Sequence, residues 1–510
     1  MGSASRCDSG ERLADDVRSR WKNGVGGDAC QSLSEVCHMG GCGRSSRREW
    51  LTIGGLHLGA LACGLSPNLA GLLAAAERTS SSPPDPDLSV ILVWANGGPS
   101  HIDLFDLKPQ APREYRGPFR PIGTTVPGME ISELLPQLAA QARRFTLIRS
   151  LHHERNQHSG GTHRFLTGYS SVAANLPRSE YPEIGSIVAR QVEGESRGVP
   201  AFVANTPFYG GGPAYLGPAY EAFMPAPNYQ TASGANTYDP VPLYPTPDTL
   251  DSLSSLGVSA EGVLTVDRRR DLLTSLDRLP GALDRSGSLE ALDLFRRQAL
   301  EIVTSGRTRD AFDLTREPDE MRRRYGEGHL GRSLLTCRRL VEAGVRFVQC
   351  QATYRLRPET GRTSNWDDHS VNADIFQALG ERLPSLDQAL ATLIADIHER
   401  GLDQKVLVLF CGEFGRTPKI AYQDASGRPG RDHWCQAMSV LVSGGGLRMG
   451  QVIGATGPKA EEPVDRAMDS SCLLATIYQR FGIDYHRAFL DNTGRPIPIL
   501  TDGHPIKELL

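Results

Sequence analysis

Aromatic side chains are scarce in this 510-residue chain, at 7%, and charge of one sign is lacking. The 55 Lys and Arg nearly cancel the 59 Asp and Glu, leaving a net charge of −4. That balance removes the broad electrostatic reason to expect nucleic acid as a partner. No apolar stretch runs unbroken for the roughly 20 residues that a membrane-spanning helix needs. Internal repeats are absent, and the 54 Gly and 34 Pro follow no fixed period, which excludes collagen and repeat arrays. Beyond residue 63 only Cys337, Cys350, Cys411, Cys435 and Cys472 remain. The number is odd and contains no CxxC pair, so a disulfide framework or zinc ribbon is disfavoured and buried free thiols are expected. What is present, 39% hydrophobic and 22% charged residues, describes a globular protein with a large core.

The N-terminus reads as an address. Arg47 and Arg48 stand directly ahead of an apolar run, Leu51 to Leu73, broken by Gly54, Gly55, Gly59, Gly64, Pro67 and Asn68. Ala74-Ala75-Ala76 then offers a small-residue cleavage site, so the order fits a twin-arginine export signal. Lipid attachment at Cys63 is a minor alternative. The expected organisation is an extension and signal over residues 1–76, a Ser/Pro-rich linker over 77–87, and one domain over 88–510 with an insertion at about 205–330. Export implies a periplasmic or cell-surface location, with no transmembrane helix in the mature protein.

Short apolar runs recur through the domain: Leu88 to Ala95, Phe145 to Arg149, Val199 to Ala204, Val345 to Cys350, Val406 to Cys411 and Met438 to Val442. Continuous rather than alternating hydrophobicity predicts strands covered on both faces, hence an α/β fold with a largely parallel central sheet and helices on both sides. Leu386 to Arg400 carries apolar residues at helical spacing. A Ser385/Gln388 capping pattern and a Gly401 stop predict its ends. Gly331 to Ala343 repeats the helix, glycine, strand order. The triplets Arg268-Arg269-Arg270 and Arg322-Arg323-Arg324 read as solvated helix faces.

Histidines 101, 152, 153, 158, 163, 369 and 433 fall just after strand-like runs or in short Gly-rich segments. In open parallel sheets, ligands bind beyond the carboxyl ends of the strands, where distant loops converge. The first run ends in Asn96-Gly97-Gly98-Pro99-Ser100-His101-Ile102-Asp103, whose paired glycines permit close backbone approach. The second leads to His158-Ser159-Gly160-Gly161-Thr162-His163. Ser159 reads either as a helix cap or as an attacking hydroxyl at a helix N-terminus. Trp366-Asp367-Asp368-His369, Gly412-Glu413-Phe414-Gly415-Arg416 and Arg431-Asp432-His433-Trp434 supply carboxylates and imidazoles. That mixture suits a divalent ion, zinc first, with manganese or calcium as alternatives. Arg416 reads either as a clamp for phosphate or sulfate oxygens or as a structural salt bridge.

In this order, the strings GGPSHIDLFDLKP, RFLTGYSS, RRLVEAGVRFV, NWDDHSVN, GEFGRTPKI, GRDHW, GGGLRMGQVIGAT and GRPIPI resemble the family called domain of unknown function 1501, exported proteins related to sulfatases and alkaline phosphatases. The resemblance implies an alkaline-phosphatase-like sandwich with metal ligands at its strand ends. Asp367 and His369 look like a ligand pair at shortened spacing, Glu413 takes the place of an Asp-His pair, and His433 looks like the final histidine ligand. Asn96 stands where metal-dependent relatives carry Asp, so a second ion would need His101 or Asp103. Counting ten residues back from Gly168 gives His158, and the adjacent hydroxyl of Ser159, one residue on, is the expected attacking group, with Asp367, His369, Glu413 and His433 holding the ion. His158 would otherwise form a covalent intermediate or ligate metal. A Cys-x-Pro-x-Arg string is absent, which disfavours a formylglycine sulfatase. Asn96, Ser100 and His163 are expected to contact substrate. The implied function is an exported metal-dependent hydrolase of small-molecule or glycan phosphate or sulfate esters. The alternative is a non-catalytic cell-surface or carbohydrate-binding protein on the same fold. Neither reading fixes the oligomeric state.

Overall fold

The computed structural model describes residues 85, 87–176, 178–193, 198–206, 208–224, 306–352, 365–371, 373–423 and 425–510. The twin-arginine segment, most of the linker, residues 225–305 of the expected insertion and the Arg268 triplet lie outside the described residues.

The buried apolar runs form the sheet, because a strand covered on both faces can be hydrophobic throughout. Strand β1 (Ser89–Trp94) is central. It pairs in parallel with β4 (Phe347–Gln351) and β5 (Val406–Cys411), the registers running Val90 to Phe347 and Val90 to Leu407. β3 (Phe202–Ala204) extends the sheet beyond β4, also parallel. On the other side β8 (Met438–Gly444) lies antiparallel to both β5 and β2 (Thr146–His152). The short β9 (Val452–Ile453) and β10 (Met468–Asp469) pair in parallel with β2. Among the described strands of the sheet only β8 opposes the common direction, so the sheet is largely parallel, as the apolar runs predict.

Alternate residues of these strands feed two cores. Ile91, Val93, Val408 and Phe410 pack with Leu334, Leu335 and Leu340 of α4 (His329–Glu342) and with Leu383, Leu386, Leu390 and Ile394 of α5 (Ile375–Glu399). On the other face Val90, Leu92, Trp94 and Leu409 meet α2 (His158–Thr167), α3 (Ile184–Gln191) and α6 (Ser470–Phe481) through Phe165, Ile187 and Leu473. Cys337, Cys350, Cys411 and Cys435 are buried free thiols, and Cys472 is half-buried. Among the described residues no helix is long and apolar enough to cross a membrane.

Helix α5 departs from expectation at its start. It begins at Ile375, capped by Asp374, whose carboxylate accepts from the N–H groups of Phe376 (3.0 Å) and Gln377 (3.1 Å). Pro384 sits inside the helix and Ser385 does not cap it. The apolar spacing runs on across the proline through Leu379, Leu383 and Leu386, all fully buried, and this packing outweighs the local break. Gln388 instead donates to the backbone carbonyl of Arg323 at 3.1 Å. Arg324, expected on a solvated face, makes a two-pronged pair with Glu399 at 2.6 Å per contact.

Candidate metal centre

The common strand direction brings the carboxyl ends of β1, β2, β4 and β5 to one edge, and antiparallel β8 begins there, with Met438 opposite Leu151 of β2. Loops from that edge carry His158, Asp367, His369, Glu413, Arg416 and His433. Gly97 and Gly98 let them close up. Both have positive φ, +106° and +86°. A Cβ on Gly97 would lie 2.5 Å from Asp367 N, and one on Gly98 would lie 2.6 Å from the Phe414 ring. The side-chain-free backbone is thus what admits the Trp366–Asp367 segment.

Three imidazoles converge on the Asp367 carboxylate. His158 Nε2 lies 3.4 Å from Oδ2, and His369 Nε2 and His433 Nε2 lie 2.9 and 3.0 Å from Oδ1. The Nε2 atoms of His369 and His433 are themselves 3.0 Å apart. Each ring is held from behind through Nδ1. His158 donates to Glu413 Oε1 (2.6 Å), His369 to Asp432 Oδ1 (2.7 Å) and His433 to the Asn156 carbonyl (2.7 Å). Carboxylate and carbonyl oxygens accept only, so each Nδ1 carries a proton and the neutral ring presents its Nε2 lone pair inward. Phe414 packs against the His158 and His433 rings, at 5.4 and 4.5 Å between centroids.

Lone pairs and a carboxylate aimed at one point repel unless a cation sits among them. The donor atoms of His158, Asp367 and His433 all fall within 4.8 Å of one another, and the side chains of these three and of His369 retain 18–25% exposure, enough for an ion or substrate to reach them. Imidazole nitrogens with a carboxylate oxygen, and carboxylate or carbonyl acceptors behind the rings, are groups that could hold a divalent ion. Without one, His158 becomes the cation. Burial opposes its charge, but hydrogen bonds to Asp367 and Glu413 and their negative charges outweigh it and raise its pKa to about 9. Burial likewise opposes ionisation of Asp367, yet Arg416 and the three histidines hold its carboxyl far below the usual range. Burial, with the charges of Arg416 and His158, lowers the pKa of His433.

Several expected roles change. Arg416 is no oxyanion clamp, because its buried guanidinium is spent on the protein. Nε donates to Gly98 O (3.0 Å), Nη1 to Arg431 O (3.1 Å), and Nη2 to Gly97 O, to Trp366 O (3.0 Å) and to Asp367 Oδ1 (2.6 Å). Glu413, expected among the ligands, lies behind His158 on the Nδ1 side of its ring. Its Oε1 also accepts from Gly97 N at 2.8 Å, while its buried Oε2 has no hydrogen-bond partner among the described residues. Ser159 does not face the histidines. Adjacent helical residues point about 100° apart, and its Oγ accepts from Leu176 N at 2.9 Å.

His101 and Asp103, on the one-turn helix α1 (His101–Leu104), serve the core instead of a second ion. Asp103 pairs with buried Arg431 at 2.8 Å and accepts from Ser100 Oγ at 2.5 Å, which also occupies Ser100. His101 Nε2 bonds Ala460 O at 2.9 Å, and burial lowers its pKa. His163, five residues along α2 from His158, points elsewhere, with Nδ1 donating to Tyr169 O at 2.9 Å. Asn96 is half-buried at the edge, its carbonyl accepting from Trp366 N at 2.8 Å. Two members of the centre escaped the sequence reading. Asp432 stood beside His433 in the same string and could have been found there. Asn156 acts through its backbone carbonyl, which leaves no side-chain signal.

The model of the family described as "Protein of unknown function (DUF1501)" matches residues 87–510, and the chain belongs to this family. No curated protein matches it. Among solved structures it is similar to the PsFucS1 sulfatase from Pseudoalteromonas sp., at 11% identity and a TM-score of 0.36, covering 86% of this chain and 73% of that one. It is similar also to the C-terminal periplasmic domain of EcEptC from Escherichia coli in complex with Zn, at 10% identity and a TM-score of 0.32, covering 79% and 84%. The phosphonate monoester hydrolase SpPMH from Silicibacter pomeroyi gives 11% identity and a TM-score of 0.30, covering 84% and 76%.

Proposed function

We propose that the chain is an exported, metal-dependent hydrolase of phosphate or sulfate esters. One observation carries this reading: three Nε2 atoms and the Asp367 carboxylate face one another while each Nδ1 is fixed from behind. Asp367, His158, His369 and His433 would hold the ion. Three nitrogens favour zinc or manganese over calcium, which takes oxygen ligands. A bound divalent ion would supply Lewis-acid polarisation of an ester oxygen. Glu413, Asp432 and the Asn156 carbonyl keep the rings aimed, and Arg416 holds Asp367 ionised. The Asn96 amide, at the rim, would contact the ester. Water is the attacking group in this reading, since Ser159 is turned toward Leu176; hydrolysis then returns the alcohol and the free phosphate or sulfate. The order of Arg47-Arg48, the interrupted apolar run and Ala74-Ala75-Ala76 supports twin-arginine export, with residues 1–76 as extension and signal, 77–87 as linker and the domain from 88 to 510.

The test is elemental mass spectrometry of the purified chain after dialysis, with turnover of p-nitrophenyl phosphate and p-nitrophenyl sulfate. The expected result is one stoichiometric divalent ion, with ion and turnover both lost in Asp367→Ala at unchanged circular dichroism. Turnover that survives Asp367→Ala refutes the ligand set. A retained ion with no turnover of any ester would favour the binding-protein alternative.

A further inference from the structure

A concavity with a volume of about 800 Å³ is lined by none of the residues of the histidine centre. Arg113, Arg116 and Arg120 line it together with Lys108. The three arginines are exposed, and among the described residues none makes a side-chain ion pair. The Arg116 guanidinium donates to the Pro109 carbonyl at 3.0 Å, whereas Lys108 is matched by Asp106 at 2.9 Å. Of the carboxylates in the lining, Asp103 is already neutralised by Arg431, which leaves Glu114. Three like charges held around one hollow repel one another, and an oxyanion relieves that repulsion. The rest of the wall is apolar: Phe119 and Phe376 meet edge to face at 6.0 Å, and Tyr422, 64% exposed, stands at the mouth.

We propose that this pocket binds a small organic phosphate or sulfate, its oxyanion on the arginines and its apolar half against Phe119, Phe376 and Tyr422. The site is separate from the histidine centre, and its existence does not depend on catalysis there. The two are neighbours in the chain, however. Tyr422 and Pro429 belong to the segment that runs from Arg416 to His433, so one loop supplies a wall of the pocket and, through Asp432, the support of His369.

Isothermal titration of the full chain with phenyl phosphate, inorganic phosphate and inorganic sulfate tests the proposal. Phenyl phosphate is expected to bind the wild type and Asp367→Ala alike, and more tightly than either inorganic ion. Replacing Arg113, Arg116 and Arg120 together by Ala should weaken it by roughly tenfold or more, as the loss of charge-assisted contacts requires. Should Asp367→Ala fail to fold, wild type treated with a chelator replaces it. Binding that disappears with the metal centre, or that the arginine replacements leave unchanged, overturns the proposal. Inorganic phosphate binding as tightly as phenyl phosphate overturns the organic half of it. Failure of the hydrolase reading leaves these outcomes untouched, because none of them reads turnover.

Discussion

Raising the pH of the metal-free chain from neutrality to about 9 should make the centre a far better host for a divalent ion. His158 carries a proton on each ring nitrogen in that form, bridging Glu413 at 2.6 Å and Asp367 at 3.4 Å, and its pKa rises from 6.5 to about 9. An ion must displace the Nε2 proton, so affinity at neutrality is depressed by about two pH units' worth, roughly a hundredfold. Affinity should then climb about tenfold per pH unit and level off near pH 9. Titration calorimetry with Zn in buffers of different ionisation enthalpy measures both the slope and the protons released. About one proton per ion at neutrality is the expected figure. Stability follows the same group with a definite sign. The pKa is raised on folding, so its stabilisation of the metal-free fold is full below 6.5 and is lost as pH rises through about 9. The 25% exposure of the ring keeps that loss at or below roughly 3 kcal/mol. Affinity that is flat over this range, with no proton released, would refute the reasoning and place His158 outside the ion's reach.

Ser159→Ala should leave metal content and turnover within about twofold, because the hydroxyl serves Leu176 N; abolished turnover with an intact fold would restore Ser159 as nucleophile. Asp432→Ala removes the acceptor behind His369 and should weaken metal binding by roughly 10- to 100-fold, read by competition with a chromogenic chelator. Arg382→Met strands the buried Asp368, now paired at 2.6 and 3.0 Å. A loss of about 3–5 kcal/mol in urea unfolding is expected, and a change under 1 kcal/mol would mean that water already solvates the pair.

The strands were legible because burial on both faces writes itself as unbroken hydrophobicity: Val406 to Cys411 is the same segment in sequence and structure. The start of α5 was not, since Pro384 and Ser385 carry the local chemistry of a helix boundary. Tertiary anchors at Leu379, Leu383 and Asp387 decide the matter, and they have no local signature. Asp387 accepts from Gln137 N and Leu138 N, some 250 residues earlier. At the centre, residue type and strand-end position located His158, Asp367, His369 and His433. Direction remained hidden. His101, Asp103 and His163 have the same chemistry and the same proximity to strand ends, but one turn of α1 and five residues of α2 aim them into the core.

The charge-dense strings that looked like ligand sets divide their residues between two tasks. In Trp366-Asp367-Asp368-His369, Asp367 and His369 face the centre, whereas Asp368 is tied to buried Arg382. In Arg431-Asp432-His433, Arg431 turns inward to Asp103 while Asp432 and His433 serve the histidine cluster. One part of each string thus locks the backbone while the other part faces the histidine cluster. Arg416 does both, holding the carbonyls of Gly97, Gly98 and Trp366 and at the same time Asp367. The two tasks should separate experimentally. Substitution of an inward partner such as Arg382 lowers unfolding free energy and loses metal only as the fold loosens. Substitution of an outward one such as His369 removes metal while the unfolding midpoint of the metal-free protein stays nearly fixed. If His369→Ala instead destabilised the metal-free chain as strongly as Arg382→Met, the histidines would be part of the core's own charge network, and the case for a metal centre would fall with that result.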